Sequence, residues 1–156
     1  MFVLVQRLTE LAIARRNTRL LCAEGATEHG AAHYPAIAAL HVAWLAAIAV
    51  LSIGQTVAAG WLGFYLALQV LRVWTIATLG RRWTTRIIVP RDRGRIVGGP
   101  FRFLPHPNYA VVALEIAVVP FALGAPLAAL VFTALNAAVL AIRIRCEESA
   151  WAGPGG

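Results

Sequence analysis

Long apolar runs, rather than short amphipathic stripes, dominate the hydrophobic pattern of this chain. The segments 35–53 and 57–80 are each long enough to cross a hydrocarbon core of ~30 Å at a rise of about 1.5 Å per residue. Two polar side chains of the second segment, Gln69 and Arg72, lie three residues apart on one helical face. The pattern predicts two transmembrane helices, with Arg72 either reaching the membrane interface or facing an internal site.

A third apolar region, 110–142, would be about 50 Å long as one helix, which is too long for a single crossing. Gly124 and Pro126 stand near its middle and are typical of a tight turn between helices. We therefore predict a helical hairpin with arms 108–123 and 126–145. The predicted fold is an all-α polytopic transmembrane bundle of four to five helices.

The first segment of the chain, 1–34, admits two interpretations. Polar side chains interrupt its apolar start early, and Leu4, Leu8 and Leu11 share one helical face, as in an interfacial amphipathic helix. Alternatively, the segment is the cytoplasmic end of a membrane span whose beginning is missing from the sequence. The first ten residues show no secretory signal, because they lack a basic n-region and a cleavage site.

Composition supports a membrane protein, since 60% of the residues are hydrophobic, against roughly 45–50% in an average soluble domain. The net charge is +7 and every Lys or Arg position is an arginine; the arginines fall between apolar segments rather than on a basic helix face. We therefore expect no nucleic-acid partner. Cys22 and Cys146 match no metal-ligand spacing, and His29 and His33 lack accompanying ligands, so we also expect no metal site.

Loop charges predict the topology, because arginine-rich and uncharged loops alternate along the chain, as the positive-inside rule requires. The loop 81–107 and the tail 146–156 then face the cytoplasm, across a bacterial inner membrane. One domain, 1–156, follows, with a two-helix unit at 35–80 and the hairpin at 108–145. The arginines of the predicted cytoplasmic loops are Arg15, Arg16, Arg19, Arg81, Arg82, Arg86, Arg91, Arg93, Arg95 and Arg102.

The two ends of the hairpin carry the candidate chemistry. An antiparallel hairpin places the start of its first helix beside the end of its second, so polar groups from both can share one pocket. Such a pocket suits a zwitterionic small molecule, with carboxylates for a cation and with arginine or helix amides for a carboxylate. The residues concerned are His106, Pro107, Asn108, Tyr109, Arg143, Arg145, Glu147 and Glu148.

Glu115 is a carboxylate about two turns inside the apolar helix. Burying a carboxyl group at that depth costs free energy unless it is neutral or paired, so such a residue more often has a function than not. We predict either a role in a substrate cavity or a structural pairing with Arg72 or another internal donor. Glu115 and Arg72 are the candidate catalytic residues.

Three motifs together resemble one family. The stretches RRWTTRIIVP, GGPFRFLPHPNYAVVALE and RIRCEE resemble the isoprenylcysteine carboxyl methyltransferase family of integral-membrane methyltransferases, in its short bacterial branch. The plan is also similar to that of membrane phospholipid N-methyltransferases. The resemblance runs from about Arg7 to Trp151 and implies S-adenosylmethionine as the methyl donor.

The resemblance also implies which residues line the cofactor pocket: Gly99, Pro100, Leu104, His106, Pro107 and Tyr109, with Glu147 and Glu148 at the methionine end of the cofactor. Asn108 and Arg143 join them as neighbours in the predicted pocket. The family commonly has arginine where this chain has Pro105, so Arg102 is the candidate replacement donor.

Within the bacterial branch, the resemblance implies O-methylation of a lipophilic acceptor, such as an alkylresorcinol or alkylpyrone, in contact with membrane lipids. A carboxylate acceptor needs no base, whereas a phenolic or enolic one gains from Glu115 or His106. The alternatives are N-methylation of a phospholipid headgroup and a non-enzymatic lipid-binding or assembly role. The sequence does not indicate an oligomeric state.

Overall fold

The computed structural model describes residues 2–56, 58–92 and 94–153. Val57 and Arg93 of the sequence predictions, together with Met1 and the last three residues of the predicted tail, lie outside these ranges. The described residues form five α-helices and two short strands. In chain order these are α1 (Phe2–Ala23), β1 (Thr27–His29), α2 (Tyr34–Leu51), α3 (Ala59–Leu79), β2 (Ile87–Val89), α4 (Pro107–Ala122) and α5 (Pro126–Ala152).

The predicted all-α polytopic bundle is confirmed. Within the described ranges, three helical stretches are long and apolar enough to cross a membrane, namely Ala31–Leu51, Ala59–Arg82 and Pro126–Ala152. Large apolar side chains on them point outward, as shown by Val70 at 71% and Leu127 at 73% exposure. Since water would penalise such a surface, the protein is an integral membrane protein.

α4 is the shortest of the apolar helices, with 16 residues, and it packs between α3 and α5. Ile116, Val118 and Val119 of α4 form a buried cluster with Trp44 and Ile48 of α2. The Trp44 indole also donates a hydrogen bond to the carbonyl of Ile116, at 3.3 Å. The side chains of α4 are therefore positioned by neighbours on several sides, which fixes the groups at its start.

The predicted hairpin is confirmed as α4 and α5, joined by a turn in which Gly124 has φ +70° and Ala125 N–H donates to Pro120 O at 2.8 Å. The predicted end of the second arm at residue 145 is wrong, because α5 continues to Ala152. No glycine or proline interrupts the chain before Gly153, so the polar residues at 146–152 extend the helix. Glu147 and Glu148 consequently lie on the same helix as Arg143, and not beyond its end.

α1 is a single helix whose polar face turns into the bundle. Gln6 contacts Gln69 of α3, and Asn17 Nδ2 donates to Gly80 O at 3.2 Å and to Trp83 O at 2.9 Å. α1 therefore runs beside α3 in the same direction, with these polar side chains inside the bundle. The leucine face of α1 is the outward one, as Leu8 at 58% exposure shows. The two interpretations of the segment, an interfacial helix and the end of a longer membrane span, stay predictions.

The first three arginines that were assigned to a predicted loop, Arg15, Arg16 and Arg19, also lie on α1. The helix continues through them because no breaker precedes Gly25. The basic segment is thus the last part of a helix and not a loop.

A two-stranded antiparallel ribbon, which the sequence did not predict, covers one end of the bundle. Thr27 of β1 pairs with Val89 of β2, and His29 pairs with Ile87. Ile87 and Val89 pack on Ala150 of α5. The ribbon therefore fixes the segment after α3 over the end of α5. We call this end, where α1, α3 and α5 end and α2 and α4 begin, the ribbon end.

Candidate functional site

A pocket opens at the ribbon end between the start of α4, the last turns of α5 and the segment 79–107. α4 begins there because Pro107 suits the first helical position, where its missing N–H costs no hydrogen bond. His106 immediately precedes it, and Asn108 and Tyr109 follow on the first turn. The hairpin thus delivers side chains from both of its helices into one cavity, as predicted.

Tyr109, Arg143 and Glu147 form a linked set across the two helices. The Tyr109 hydroxyl donates to the Glu147 carboxylate and accepts from Arg143 Nε at 2.9 Å. Arg143 Nη2 also donates to the carbonyl of Thr85, at 2.7 Å. Because these bonds join α4, α5 and the loop after α3, they fix the width of the pocket.

His106 and Glu148 lie at the open side of the pocket. The His106 ring stacks on the Tyr109 ring with centroids 5.3 Å apart, and its Nε2 is 3.6 Å from Glu148 Oε1. Glu148 is 61% exposed, so much of its carboxylate remains available to a ligand. The site therefore presents a carboxylate that is not saturated by the protein.

Seven of the eleven predicted cofactor residues line the pocket: His106, Pro107, Asn108, Tyr109, Arg143, Glu147 and Glu148. The other four lie outside it: Gly99, Pro100, Arg102 and Leu104. Three of them belong to a 3₁₀ turn at Gly99–Arg102 that packs on α3, and Leu104 lies two residues after it. Gly99 has φ +58°, and a Cβ there would lie 2.5 Å from Thr78 Oγ1, so packing already accounts for a glycine at this position.

Aromatic residues of the pocket were missed by the sequence analysis. Trp83, Phe101 and Trp151 line it, and the Trp83 Nε1 donor is buried without a hydrogen-bond partner among the described residues. Trp151 follows Glu147 by four residues, a spacing that puts both on one helical face. That signal was hidden because the helix was predicted to end before both residues.

Three further arginines line the pocket from the segment after α3. Arg82 donates to Asp92 Oδ2 at 2.6 Å and to the Gly94 carbonyl, and Arg86 donates to Glu28 Oε1 at 2.6 Å. Arg95 lies over the Trp151 ring, 5.2 Å from its centroid. Ion pairs and ring contacts thus hold this basic segment in place over the pocket.

Glu115 and Arg72 meet each other, but neither lines the pocket. Both side chains are 2% exposed, and the Glu115 carboxylate accepts from Arg72, from Arg7 of α1 and from Gln69 Nε2 at 2.5 Å. The pairing of Glu115 with Arg72 is therefore confirmed, and Arg72 faces the interior instead of the interface. The proposed catalytic contact of these two residues with an acceptor stays a prediction.

Glu10 completes this buried network from α1. Its Oε2 accepts from Arg7 and from Arg72, each at 2.9 Å, and its Oε1 accepts from Gln6 at 2.9 Å. Two guanidinium groups thus face two carboxylates, which keeps the network neutral overall. A polar stripe on α1 is thus paired inside the bundle, although the Nε atoms of Arg7 and Arg72 are buried without a hydrogen-bond partner among the described residues.

Fold and site together define a helical membrane protein with a charged, aromatic-lined pocket at one end of its bundle. The sequence model of the isoprenylcysteine carboxyl methyltransferase family matches residues 61–153, and the chain belongs to this family. The match includes α3 from its third residue onward, the hairpin and every pocket residue named above. The predicted family resemblance is confirmed, and the class it defines is that of membrane methyltransferases.

A relative matches along almost the whole chain. The Bacillus subtilis (strain 168) protein "Uncharacterized protein YpbQ" is 38% identical over 153 residues, which cover 95% of this chain and 91% of that protein. No solved structure matches the chain.

Proposed function

We propose that the protein is an S-adenosylmethionine-dependent methyltransferase that methylates an oxygen of a lipophilic acceptor, with its pocket facing the cytoplasm of a bacterial cell. The observation that carries the proposal is the convergence of the His106–Tyr109 segment with Glu147 and Glu148 in one cavity. In this family the same motifs are expected to hold the cofactor. Acceptors of the expected class are alkylresorcinols and alkylpyrones.

The pocket residues fit the chemistry of this cofactor. Glu148 offers an exposed carboxylate to the ammonium group, and Trp83 and Phe101 offer aromatic surface to a purine. The buried Trp83 Nε1 is a donor that a polar ligand atom can satisfy. When bound, the cofactor supplies an electrophilic methyl group on a sulfonium sulfur.

The residues of the chain have to orient and shield the reactants, because methyl displacement depends on alignment more than on acid–base help. The Tyr109–Arg143–Glu147 set holds the α4 and α5 ends at a fixed spacing. We assign His106 as the base for a phenolic or enolic acceptor, since its ring lies at the pocket wall. We assign Glu115 and Arg72 to bracing the helices.

An apolar patch beside the pocket supports a lipophilic acceptor. Val97 and Phe103 are each 74% exposed, and the Phe103 ring lies 6.4 Å from that of Trp74 on the outward face of α3. Phe101, two residues before Phe103, lines the pocket itself. We infer that the acceptor's hydrocarbon chain lies along this patch while its head group reaches the cavity.

The test uses the protein in lipid nanodiscs that contain phosphatidylethanolamine. Calorimetric titration with S-adenosylmethionine measures cofactor binding, and methyl-labelled cofactor is then supplied together with 5-pentadecylresorcinol. We expect saturable binding and label in the resorcinol ether. Label in phosphatidylethanolamine would instead establish headgroup N-methylation, and an absence of cofactor binding would support the non-enzymatic alternative.

A further inference from the structure

Among the described residues, Arg95 differs from the other arginines of the pocket in making neither a hydrogen bond nor an ion pair. Arg82 is paired with Asp92, Arg86 with Glu28, and Arg143 bonds Tyr109. The one interaction of Arg95 in the same ranges is its contact with the Trp151 ring, at 5.2 Å. Its guanidinium donors are thus available to an anion that enters the pocket.

The position of Trp151 places this free cation beside the carboxylates of α5. Trp151 follows Glu148 by three residues and Glu147 by four, so the three side chains share one helical face within about one turn. Arg95 forms no ion pair with Glu148 within 4.0 Å. A cation and a carboxylate therefore face the same cavity without neutralising each other.

Opposite charges held apart across a cavity complement a zwitterion. An α-amino acid carries its ammonium and its carboxylate on one carbon, so the two groups need a carboxylate and a cation as close neighbours in the site. We propose that Arg95 binds the carboxylate of the methionine moiety of S-adenosylmethionine, while the Glu148 carboxylate accepts a hydrogen bond from the ammonium group of that moiety. This inference rests on the proposed function and adds the residue that selects the carboxylate end.

Trp151 has a positioning role in this arrangement. Stacking on an indole restricts the many rotamers of an arginine, and a planar guanidinium keeps its donors in a fixed fork. Part of the conformational entropy that the Arg95 side chain loses on binding is therefore already lost in the free protein, which favours binding. The same stacking holds Arg95 over α5, although its side chain is exposed to solvent.

Decarboxylated S-adenosylmethionine, which lacks only the carboxylate, isolates the proposed contact. Calorimetry on the full-length protein in nanodiscs compares both ligands on the native protein and on Arg95→Gln. We expect the substitution to weaken S-adenosylmethionine about tenfold, as for the loss of one charge-assisted hydrogen bond, and to change the decarboxylated ligand less than about twofold. Arg95→Lys should recover part of the affinity, because the charge returns without the fork.

Arg91→Gln is the matched control, because Arg91 is an exposed arginine of the same segment that does not line this pocket. It should leave both affinities at the native value. Equal losses for the two ligands in Arg95→Gln would overturn the inference, and so would unchanged binding of both. If the native protein binds neither ligand, the proposed function itself fails, which is a different result from either of these.

Discussion

Arginine and glutamate side chains occur both in the buried network of α1, α3 and α4 and in the pocket at the ribbon end. In the network they pair with one another, whereas in the pocket some of them stay unpaired within the described part of the chain. In the network, Glu115 and Arg72 are 2% exposed, and each carboxylate there is bonded by two guanidinium groups. In the pocket, Glu148 is 61% exposed and Arg95 has no anion among the described residues. Charges that satisfy one another brace helices, whereas charges left apart are available to a ligand.

The largest effect should come from breaking the network. Glu115→Gln leaves two buried guanidinium groups with one fewer charge partner, and removing one member of a buried pair typically costs about 3–5 kcal/mol. We expect the unfolding free energy in mild detergent, measured by denaturant titration, to fall by about that amount. The matched control is Glu24→Gln, which removes an exposed ion pair with Arg81 and should cost at most about 1 kcal/mol.

A catalytic Glu115 makes the opposite prediction. If the carboxylate serves the acceptor, Glu115→Gln stays as stable as the native protein and binds cofactor, but transfers methyl slowly. If the variant's unfolding free energy is within about 0.5 kcal/mol of native and its turnover is lost, Glu115 is a catalytic residue. The buried network would then not be purely structural, and the contrast with the pocket would disappear.

The second effect concerns the carboxylates of the pocket. The double variant Glu147→Gln, Glu148→Gln keeps side-chain shape and removes both negative charges from the wall. Losing a charge-assisted hydrogen bond to the cofactor should weaken S-adenosylmethionine binding roughly ten- to a hundredfold, as read by calorimetry. Helical circular dichroism should stay native, and native affinity in such a well-folded variant would show that these carboxylates do not hold the cofactor.

Tyr109 combines features of both regions: it lines the pocket, and yet its hydroxyl already makes hydrogen bonds to Glu147 and Arg143. Tyr109→Phe removes the hydroxyl that joins Glu147 to Arg143, a loss typically worth about 1 kcal/mol. We expect a small fall in unfolding free energy and less than a threefold change in cofactor affinity. A loss of affinity as large as that of the double variant would show that the hydroxyl itself contacts the ligand.

Much of the fold was predictable because membrane helices appear in the sequence as long, uninterrupted apolar segments. Gly124 and Pro126 divide the last run, and they do so where the structure places the turn. The start of α4 was equally readable, since Pro107 marks a first helical position and the neighbouring polar residues open onto the pocket. These signals are local, so no knowledge of packing is needed to read them.

The parts that sequence reasoning missed depend on packing. Periodicity shows that Gln6, Arg7 and Glu10 share a face, but it does not say whether that face meets water or a buried carboxylate. Strands of three residues are too short for an alternating pattern, and β1 and β2 form because they pair and cover α5. The contact of Arg95 with Trp151 joins residues far apart in the chain and has no local signal.

The smallest effect should come from Arg102, which the sequence made a candidate donor to the cofactor because Pro105 stands where the family has arginine. The structure places Arg102 on the exposed side of the 3₁₀ turn that packs on α3, outside the pocket. An exposed charge that does not touch the ligand changes binding mainly through screened long-range attraction, so Arg102→Gln should alter S-adenosylmethionine affinity less than about twofold at physiological salt. Arg95→Gln, measured in the same titration, supplies the contrasting loss of about tenfold. A tenfold loss in Arg102→Gln with native affinity in Arg95→Gln would exchange the two roles, and would show that the turn carrying Arg102 reaches the cofactor when the pocket is filled.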